Sequence, residues 1–327
     1  MSASDDFRPA ATWERLQTRA ALLRRVREFF QKRDFLEVET PLLSADIVID
    51  RHLEPLWTTL YDDPSRPDDG RRLWLQTSPE FAMKRLLAAG GRALYQITRA
   101  FRAAENGPLH NPEFTLVEWY RVGDSMQQGM TLLSELVDVL LQTGSAERIS
   151  YAEAFEKFVG LDPHRSSLDQ LKKSATNHHI QLPAVLHADR DAWLQRLLTE
   201  LVEPQLGQSG ATILFDYPAT QAALARIRPD NVPVAERFEL YINGIELANG
   251  YHELTDPREL LEREKGAQQQ RIDEGKLSLP PNQRLLAAMQ NGLPACTGVA
   301  LGFDRVVMLA CGARHIDEVL AFPIDRA

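Results

Sequence analysis

The chain has 327 residues, enough for one large domain or two small ones with a core of their own. Its 44% hydrophobic and 25% charged residues read as an ordinary soluble globular protein, and no apolar run approaches a membrane span. A net charge of −9 argues against broad nucleic-acid binding, which shows as a basic face, although a local basic patch stays open.

Elements follow in chain order. Trp13, Leu16, Ala20, Leu23, Val26 and Phe30 recur at three- and four-residue steps, which predicts an amphipathic helix. FLEVET (35–40) alternates like a strand and Pro41 ends it. YDDPSRPDDG (61–70) is a turn-rich loop between two strands. PEFAMKRLLAAGG predicts a short helix stopped by Gly90 and Gly91. ALYQITRAFR and EFTLVEWYRV read as strands joined by NGPLHNP, and a helix is predicted over 129–142.

Ser150 and Glu153 have the spacing of a capping box. Residues 150–207 then read as short helices with polar joints, an inserted helical lobe within a single 1–327 catalytic domain. Strands resume at ATILFDYP and ERFELYINGIELANG, and a charged helix covers 256–274. CTGVALGFDRVVMLACG reads as strand, tight turn and apolar helix. Hairpin-like joints outnumber helical crossovers, so the fold class is α+β, a mostly antiparallel sheet flanked by helices.

Common signatures are missing from the sequence: no P-loop, no GxGxxG, no GxSxG and no HExxH. Cys296 and Cys311 form no CxxC pair, so neither zinc nor a disulfide is indicated. The eight histidines show no ligand spacing, and the adjacent His178 and His179 read as surface residues. The opening residues lack a signal-peptide profile, and a cytoplasmic location is the default.

Three stretches carry chemistry. In FRAAENGPLHNPEFTLVEWY, Arg102 and Glu118 lie on the two arms of an antiparallel hairpin. Arginine is a planar fork suited to phosphate or carboxylate, and Phe114 offers a face to a base. The blander reading is a surface hairpin with a salt bridge. In the second stretch, Glu239, Glu246, Asn249 and Glu253 are acids and an amide with no neighbouring Lys or Arg, which invites a divalent cation or an ammonium group. Oxygen-only ligands favour Mg²⁺. Odd separations switch faces of a strand, so these four share a face only if a turn at Asn249-Gly250 intervenes. A solvated acidic hairpin is the alternative. In GVALGFDRVV, a glycine-rich strand end allows a flat ligand close approach, and Arg305 opens a helix whose N-terminus favours anions. The alternative is a packing motif with Asp304 pairing Arg305.

Taken together these stretches resemble the motifs of class II aminoacyl-tRNA synthetases. The first helix with Pro41 is similar to motif 1, FRAAENGPLHNPEF to motif 2 and GVALGFDR to motif 3. TSPEFAMKRL, HNPEFTLVEWY and ELANGYHELTD resemble the lysyl branch. The motif 1 helix begins by about residue 12, which leaves no room for that branch's anticodon-binding barrel. This plan resembles a tRNA-independent group of paralogues that attach (R)-β-lysine to elongation factor P.

The resemblance implies ATP and Mg²⁺, an aminoacyl-adenylate, elongation factor P as protein acceptor, a partner lysine 2,3-aminomutase, and a homodimer through motif 1, with neither tRNA nor membrane as partner. It assigns Arg102 to the α-phosphate and substrate carboxylate, and Arg305 to the γ-phosphate or base, both as catalytic groups. Ala103, Ala104, Glu105, His110 and Asn111 would lie at ATP, with Phe114 stacked on adenine. Glu246, Leu247 and Gly302 would line the nucleotide, with Glu239 and Glu246 as metal ligands. Ser78, Pro79 and Glu80 would wall the amino-acid pocket. Tyr120 and Glu253 would hold the ε-ammonium beside Asn249 and Tyr251, and Glu118 would assist.

Two departures from the lysyl branch matter. Motif 2 normally has an acid at the position of Ala104, and Glu105 stands one place later. Ala300 replaces a glycine, and its methyl would disfavour α-lysine. Two other readings stay open: another tRNA-independent adenylate-forming amide synthetase, and a catalytically silent paralogue with a regulatory role.

Overall fold

A computed structural model describes residues 7–327. Helix α1 spans Trp13–Gln31, with the Thr12 hydroxyl accepting a hydrogen bond from the Arg15 N–H at 3.4 Å. Its buried stripe is Leu22, Val26, Phe29 and Phe30. Trp13, expected on that stripe, is 74% exposed, so the apolar pattern begins one turn too early.

The predicted strand at 35–40 shrinks to β1 (Leu36–Glu37). A small separate sheet holds β2 (Leu43–Ser44), β3 (Trp57–Leu60) and β4 (Arg71–Leu75), with residues 61–70 joining the last two. Then come α2 (Glu80–Ala88), β5 (Ala93–Phe101), β6 (Glu113–Val122) and α3 (Met126–Leu141). Helix α3 starts three residues before the predicted 129 because Ser125 and Gln128 form a capping box. Gly129 lies inside it, where a Cβ would strike Thr297.

Strand β7 (Glu147–Ser150) leads into α4 (Tyr151–Val159), capped by Ser150 and Glu153 as their spacing predicted. Helices α5 (Leu168–Asn177) and α6 (Arg190–Leu197) follow, then a π-helical turn at Leu198–Val202. The remaining elements are β8 (Thr212–Pro218), β9 (Ile227–Arg228), β10 (Val234–Ile242), β11 (Ile245–His252), α7 (Pro257–Asp273), α8 (Gln283–Gln290), β12 (Cys296–Gly302) and α9 (Phe303–Ala310).

The main sheet runs β1-β5-β6-β12-β11-β10-β8-β7, with β9 beside β10. Only the β1–β5 and β7–β8 pairs are parallel, so the sheet is mostly antiparallel and the fold is α+β. One face packs on α1, α3 and α9 through Val117, Trp119, Phe238, Leu240 and Val299. Each such side chain, fully buried, contributes about 1.5–3 kcal/mol. Phe30 stacks on Tyr95 at 4.4 Å in the same core. A second core joins α4, α5 and α6 to Leu214, Tyr217 and Tyr241 of the sheet.

The β10–β11 hairpin corrects the predicted turn. The chain reverses at Asn243-Gly244, not at Asn249-Gly250, and both turn residues have positive φ (51° and 72°). That is the requirement of a tight two-residue hairpin, which Asn-Gly meets cheaply. Among the described residues no helix is long and apolar enough to cross a membrane.

Candidate active site

The sheet face opposite α1 and α3 carries the polar residues in register. Gln96, Glu118, Ala300, Asn249 and Glu239 are direct neighbours across five strands. Alternation brings Phe114 and Tyr120 to the same face of β6, and Gly298 and Gly302 to that of β12. Glu246 breaks parity with Asn249, yet it shares the face. A register shift between Leu240 and Tyr241 sets Glu246 opposite Tyr241, and the Tyr241 hydroxyl bonds Glu239 at 2.5 Å. A β-bulge thus does what the expected turn was invoked to do.

At one end of the face three buried carboxylates converge. Glu118 accepts hydrogen bonds from the Tyr120 hydroxyl (2.7 Å) and the Ser78 hydroxyl (2.7 Å). Ser78 in turn accepts from the Glu80 N–H at 3.0 Å, and Pro79 caps α2. Burial, then the nearby Glu80, pushes the Glu118 carboxyl up to about 7, against the pull of Tyr120 and Ser78. Glu253 does not face an empty pocket. The buried Lys84 ammonium lies 2.7 Å from Glu253 and 2.5 Å from Glu80. Burial disfavours the Lys84 charge, but Glu253 and Glu80 outweigh it and hold the ammonium above its usual range. Burial raises Glu253, with Lys84 opposing.

A Cβ on Gly298 would overlap both the Tyr120 ring and the Glu253 carboxylate, so this glycine lets the two groups sit side by side. Ala300 lies between Glu118 and Asn249. Asn249 Oδ1 is buried with no hydrogen-bond partner among the described residues. Tyr251 stands two places further on the same strand.

The other end is cationic. Arg102 is loosely held, 3.4 Å from the Thr77 carbonyl and 3.7 Å from Glu105, with its guanidinium 5.0 Å from the Phe114 ring centroid. Ala103 N–H donates to the Glu54 carbonyl at 2.7 Å, and Ala104 adopts a positive φ of 62°. Arg305 donates to the Leu109 and Glu246 carbonyls and meets His110 Nε2 at 2.6 Å. Burial and Arg305 both lower the His110 ring, so the neutral form accepts that hydrogen bond. Asn111 spends its side chain on the backbone, donating to Glu113 and accepting from Ile324. Leu247 turns its side chain into the apolar core, leaving only its backbone towards the site. Asp304 does not pair with Arg305. It faces Arg19 at 2.6 Å and accepts from the Thr115 N–H at 2.7 Å.

The acids of β10 and β11 do have basic neighbours, contrary to the reading of the sequence. Arg237 Nη2 lies 2.5 Å from Glu239, on the same strand face two residues away. Tyr217 and Tyr241 donate to the other Glu239 oxygen, each at 2.5 Å. Glu246 is the freer carboxylate, raised by burial and by Glu239, with Arg305 opposing. Glu203, just after the π-helical turn, adds a third negative group nearby. Burial, Glu239 and Glu246 push it up to about 7. Among the described residues no set of three or more ligands could hold a metal ion alone. Glu246 offers the oxygen donors of a magnesium ion shared with nucleotide phosphates, which takes one or two carboxylates from the protein, whereas Glu239 would have to release Arg237 or a tyrosine to join it.

Lys84, Arg237 and Glu203 went unread in the sequence. The first two carried a signal: Lys84 stands four residues after Glu80 on a helix, and Arg237 two before Glu239 on a strand. Glu203 carried none, since its partners lie in other elements.

Residues 5–326 of this α+β chain match the family of class II tRNA synthetases (D, K and N). The chain belongs to that family. A protein of Vibrio vulnificus (strain YJ016) named elongation factor P–(R)-beta-lysine ligase is 47% identical over 322 residues, 98% of this chain and 99% of that relative. One of the same name from Vibrio cholerae (strain N16961) is 47% identical over 99% of each chain. Another, from Klebsiella pneumoniae (strain 342), is 45% identical over 100% of each chain.

Proposed function

We propose that this chain is an ATP-dependent ligase that activates (R)-β-lysine as an adenylate and transfers it to a lysine side chain of elongation factor P. The observation that carries the reading is the Glu118–Ala300–Asn249 row. In that row a carboxylate, a methyl group and a buried, unpartnered amide oxygen are direct cross-strand neighbours. A substrate amine there gains a charged and a neutral acceptor, while the methyl presses on whatever lies next to the amine. One methyl contributes about 1–3 kcal/mol of discrimination, enough to favour an amine one carbon further from the carboxylate. The relatives' shared name supports the same substrate and acceptor.

The substrate carboxylate would attack the α-phosphorus of ATP, and pyrophosphate would leave. Arg102 would draw the carboxylate and α-phosphate together and stabilise charge as it builds. The loose hold on Arg102 suits a side chain that must reorient onto a ligand. Arg305, with His110 behind it, would face the triphosphate or the base. Phe114 would stack on adenine once the Arg102 guanidinium moves to the phosphate. Ala103, Ala104 and Glu105 would border ATP from the hairpin loop, Asn111 would hold that loop from behind, and Gly302 and the Leu247 backbone would line the nucleotide. Glu246 would hold a magnesium ion that neutralises phosphate charge, and Glu239 would join it by releasing Arg237 or a tyrosine.

At the other end Ser78, Pro79, Glu80, Tyr120, Tyr251 and Glu253 would shape the pocket for a long cationic side chain. In the second step the acceptor amine attacks the mixed anhydride carbonyl, AMP leaves, an amide forms and the amine gives up a proton. Positioning and electrostatics carry both steps, without a protein nucleophile.

A homodimer through α1 fits the exposed Trp13 and Leu36, and a cytoplasmic setting fits the acceptor. An aminomutase that converts α- to β-lysine would supply the substrate. The test is mass spectrometry of transfer with Mg-ATP, either lysine isomer, and elongation factor P or lysine tRNA as acceptor. A lysyl-sized mass gain on elongation factor P, faster with β-lysine, is expected. Charging of tRNA instead would overturn the acceptor, and activity with neither would point to a silent paralogue.

A further inference from the structure

The pocket proposed for the substrate ammonium already contains an ammonium. Lys84 and Glu80 lie one turn apart on α2, and Glu253 reaches Lys84 from the end of β11. Lys84 is buried, as are Glu80, Glu118 and Glu253. Three carboxylates and one fixed cation therefore share a closed space, and a buried carboxylate without a counter-charge takes up a proton. A protonated carboxyl is a poor partner for a substrate ammonium.

We infer that Lys84 is a positioning residue of the amino-acid pocket: its resident ammonium aligns Glu80 and Glu253 and supplies their counter-charge before substrate arrives, and so sets the pH range and charge selectivity of lysine binding. The inference rests on the ligase reading above. It goes beyond that reading because Lys84 would touch neither the reacting atoms nor ATP. Its ammonium is committed to two carboxylates of the protein, which leaves Glu118, held by Ser78 and Tyr120, as the carboxylate without a resident cation. The pocket would thus accept a defined number of positive charges.

The groups that face Lys84 and Glu253 are Glu80 from α2, Glu118 and Tyr120 from β6 and Cys296 from β12, with Tyr251 of β11 lying between Glu80 and Arg237. None of these neighbours is a second cation. Removing Lys84 leaves three buried carboxyl groups with no cation among them. Binding of the amino acid then requires their ionisation and moves to higher pH, while ATP binding at the Arg102 end is unaffected.

The experiment is amino-acid-dependent ATP–pyrophosphate exchange across a pH series, with (R)-β-lysine and α-lysine, for wild type, Lys84→Met and Lys84→Met/Glu80→Gln. In Lys84→Met the KM for the amino acid is expected to rise about tenfold or more at neutral pH, with the KM for ATP unchanged. Its pH midpoint should move up by about one unit or more. The double variant, which restores the charge balance, should return the midpoint towards wild type. A purely structural role predicts something else: a loss shared by kcat and both KM values, with no movement of the midpoint. That result overturns the inference.

If Lys84→Met does not fold, the double variant decides. Folding with a near-wild-type midpoint supports the charge role, and failure to fold overturns it. Wild-type protein that exchanges pyrophosphate with neither lysine isomer refutes the ligase reading and this inference with it. Exchange by wild type alongside an unmoved midpoint in the variant refutes the role of Lys84 alone.

Discussion

Arg19 on the first helix and Asp304 at the start of the last meet in a buried ion pair of 2.6 Å. Asp304 also accepts from the Thr115 N–H, and Arg19 donates to the Thr115 hydroxyl at 2.7 Å. The three family motifs are thereby tied at one point, next to Phe114 and Arg305. Removing one partner of a buried pair costs about 3–5 kcal/mol, because the other charge stays behind uncompensated. Arg19→Ala should lower the denaturant midpoint by a matching amount and should weaken ATP binding more than amino-acid binding. Chemical unfolding and the two KM values check both halves.

Arg102→Ala should behave in the opposite way. Beside the Phe114 ring the side chain has only long polar contacts, at 3.4 Å and 3.7 Å, so stability should change by about 0.5–1 kcal/mol or less. Adenylate formation should fall by roughly 10²- to 10³-fold, the usual loss when one preorganised charge partner is removed. Near-normal pyrophosphate exchange in a folded variant would show that the phosphate is held elsewhere.

Two substitutions on β12 separate space from specificity. Gly298→Ala should abolish amino-acid binding, since the new methyl overlaps Tyr120 and Glu253. Ala300→Gly should leave the pocket intact and shift preference towards α-lysine by about 1–3 kcal/mol. Competition between the isomers in the exchange assay measures the shift, and an unchanged ratio clears Ala300 of that role.

Glu118 predicts a pH dependence with a definite sign. Burial pushes the Glu118 carboxyl up from the ordinary 4.5 to about 7 in the fold. Between those values the folded state holds the extra proton, so stability falls as pH rises through the window. Glu203, also pushed up to about 7, adds to the same trend. Function runs the other way. An ammonium ligand needs the ionised carboxylate, so the KM for lysine should fall as pH rises from about 6 to about 8. Glu118→Gln should flatten both curves, as read by thermal unfolding and by exchange kinetics.

Much of this was legible in the order of residues. The start of α4 follows from the Ser150–Glu153 capping spacing, which is local, and the charged stretch read at 256–274 is α7. The strands of the Arg102 hairpin and of β12 read correctly because alternation is local too. Where reading failed, the deciding contacts were distant. Trp13 fits a helical period, but which face meets the core depends on where α3 and α9 lie. The Asn243-Gly244 turn and the bulge beyond it were hidden because strand parity assumes unbroken pairing.

By itself the sequence determined which chemical groups the protein owns and which short elements carry them: an arginine hairpin, an acidic hairpin, a glycine-rich strand. Spacing sets those, since backbone geometry repeats every few residues. Only the tertiary structure decided which groups share a face and which are already spoken for. Glu253 pairs with Lys84, Glu239 with Arg237 and two tyrosines, and Asp304 with Arg19. Such pairings arise because a buried charge must find its partner wherever the packed chain brings one, and sequence distance has no part in that choice.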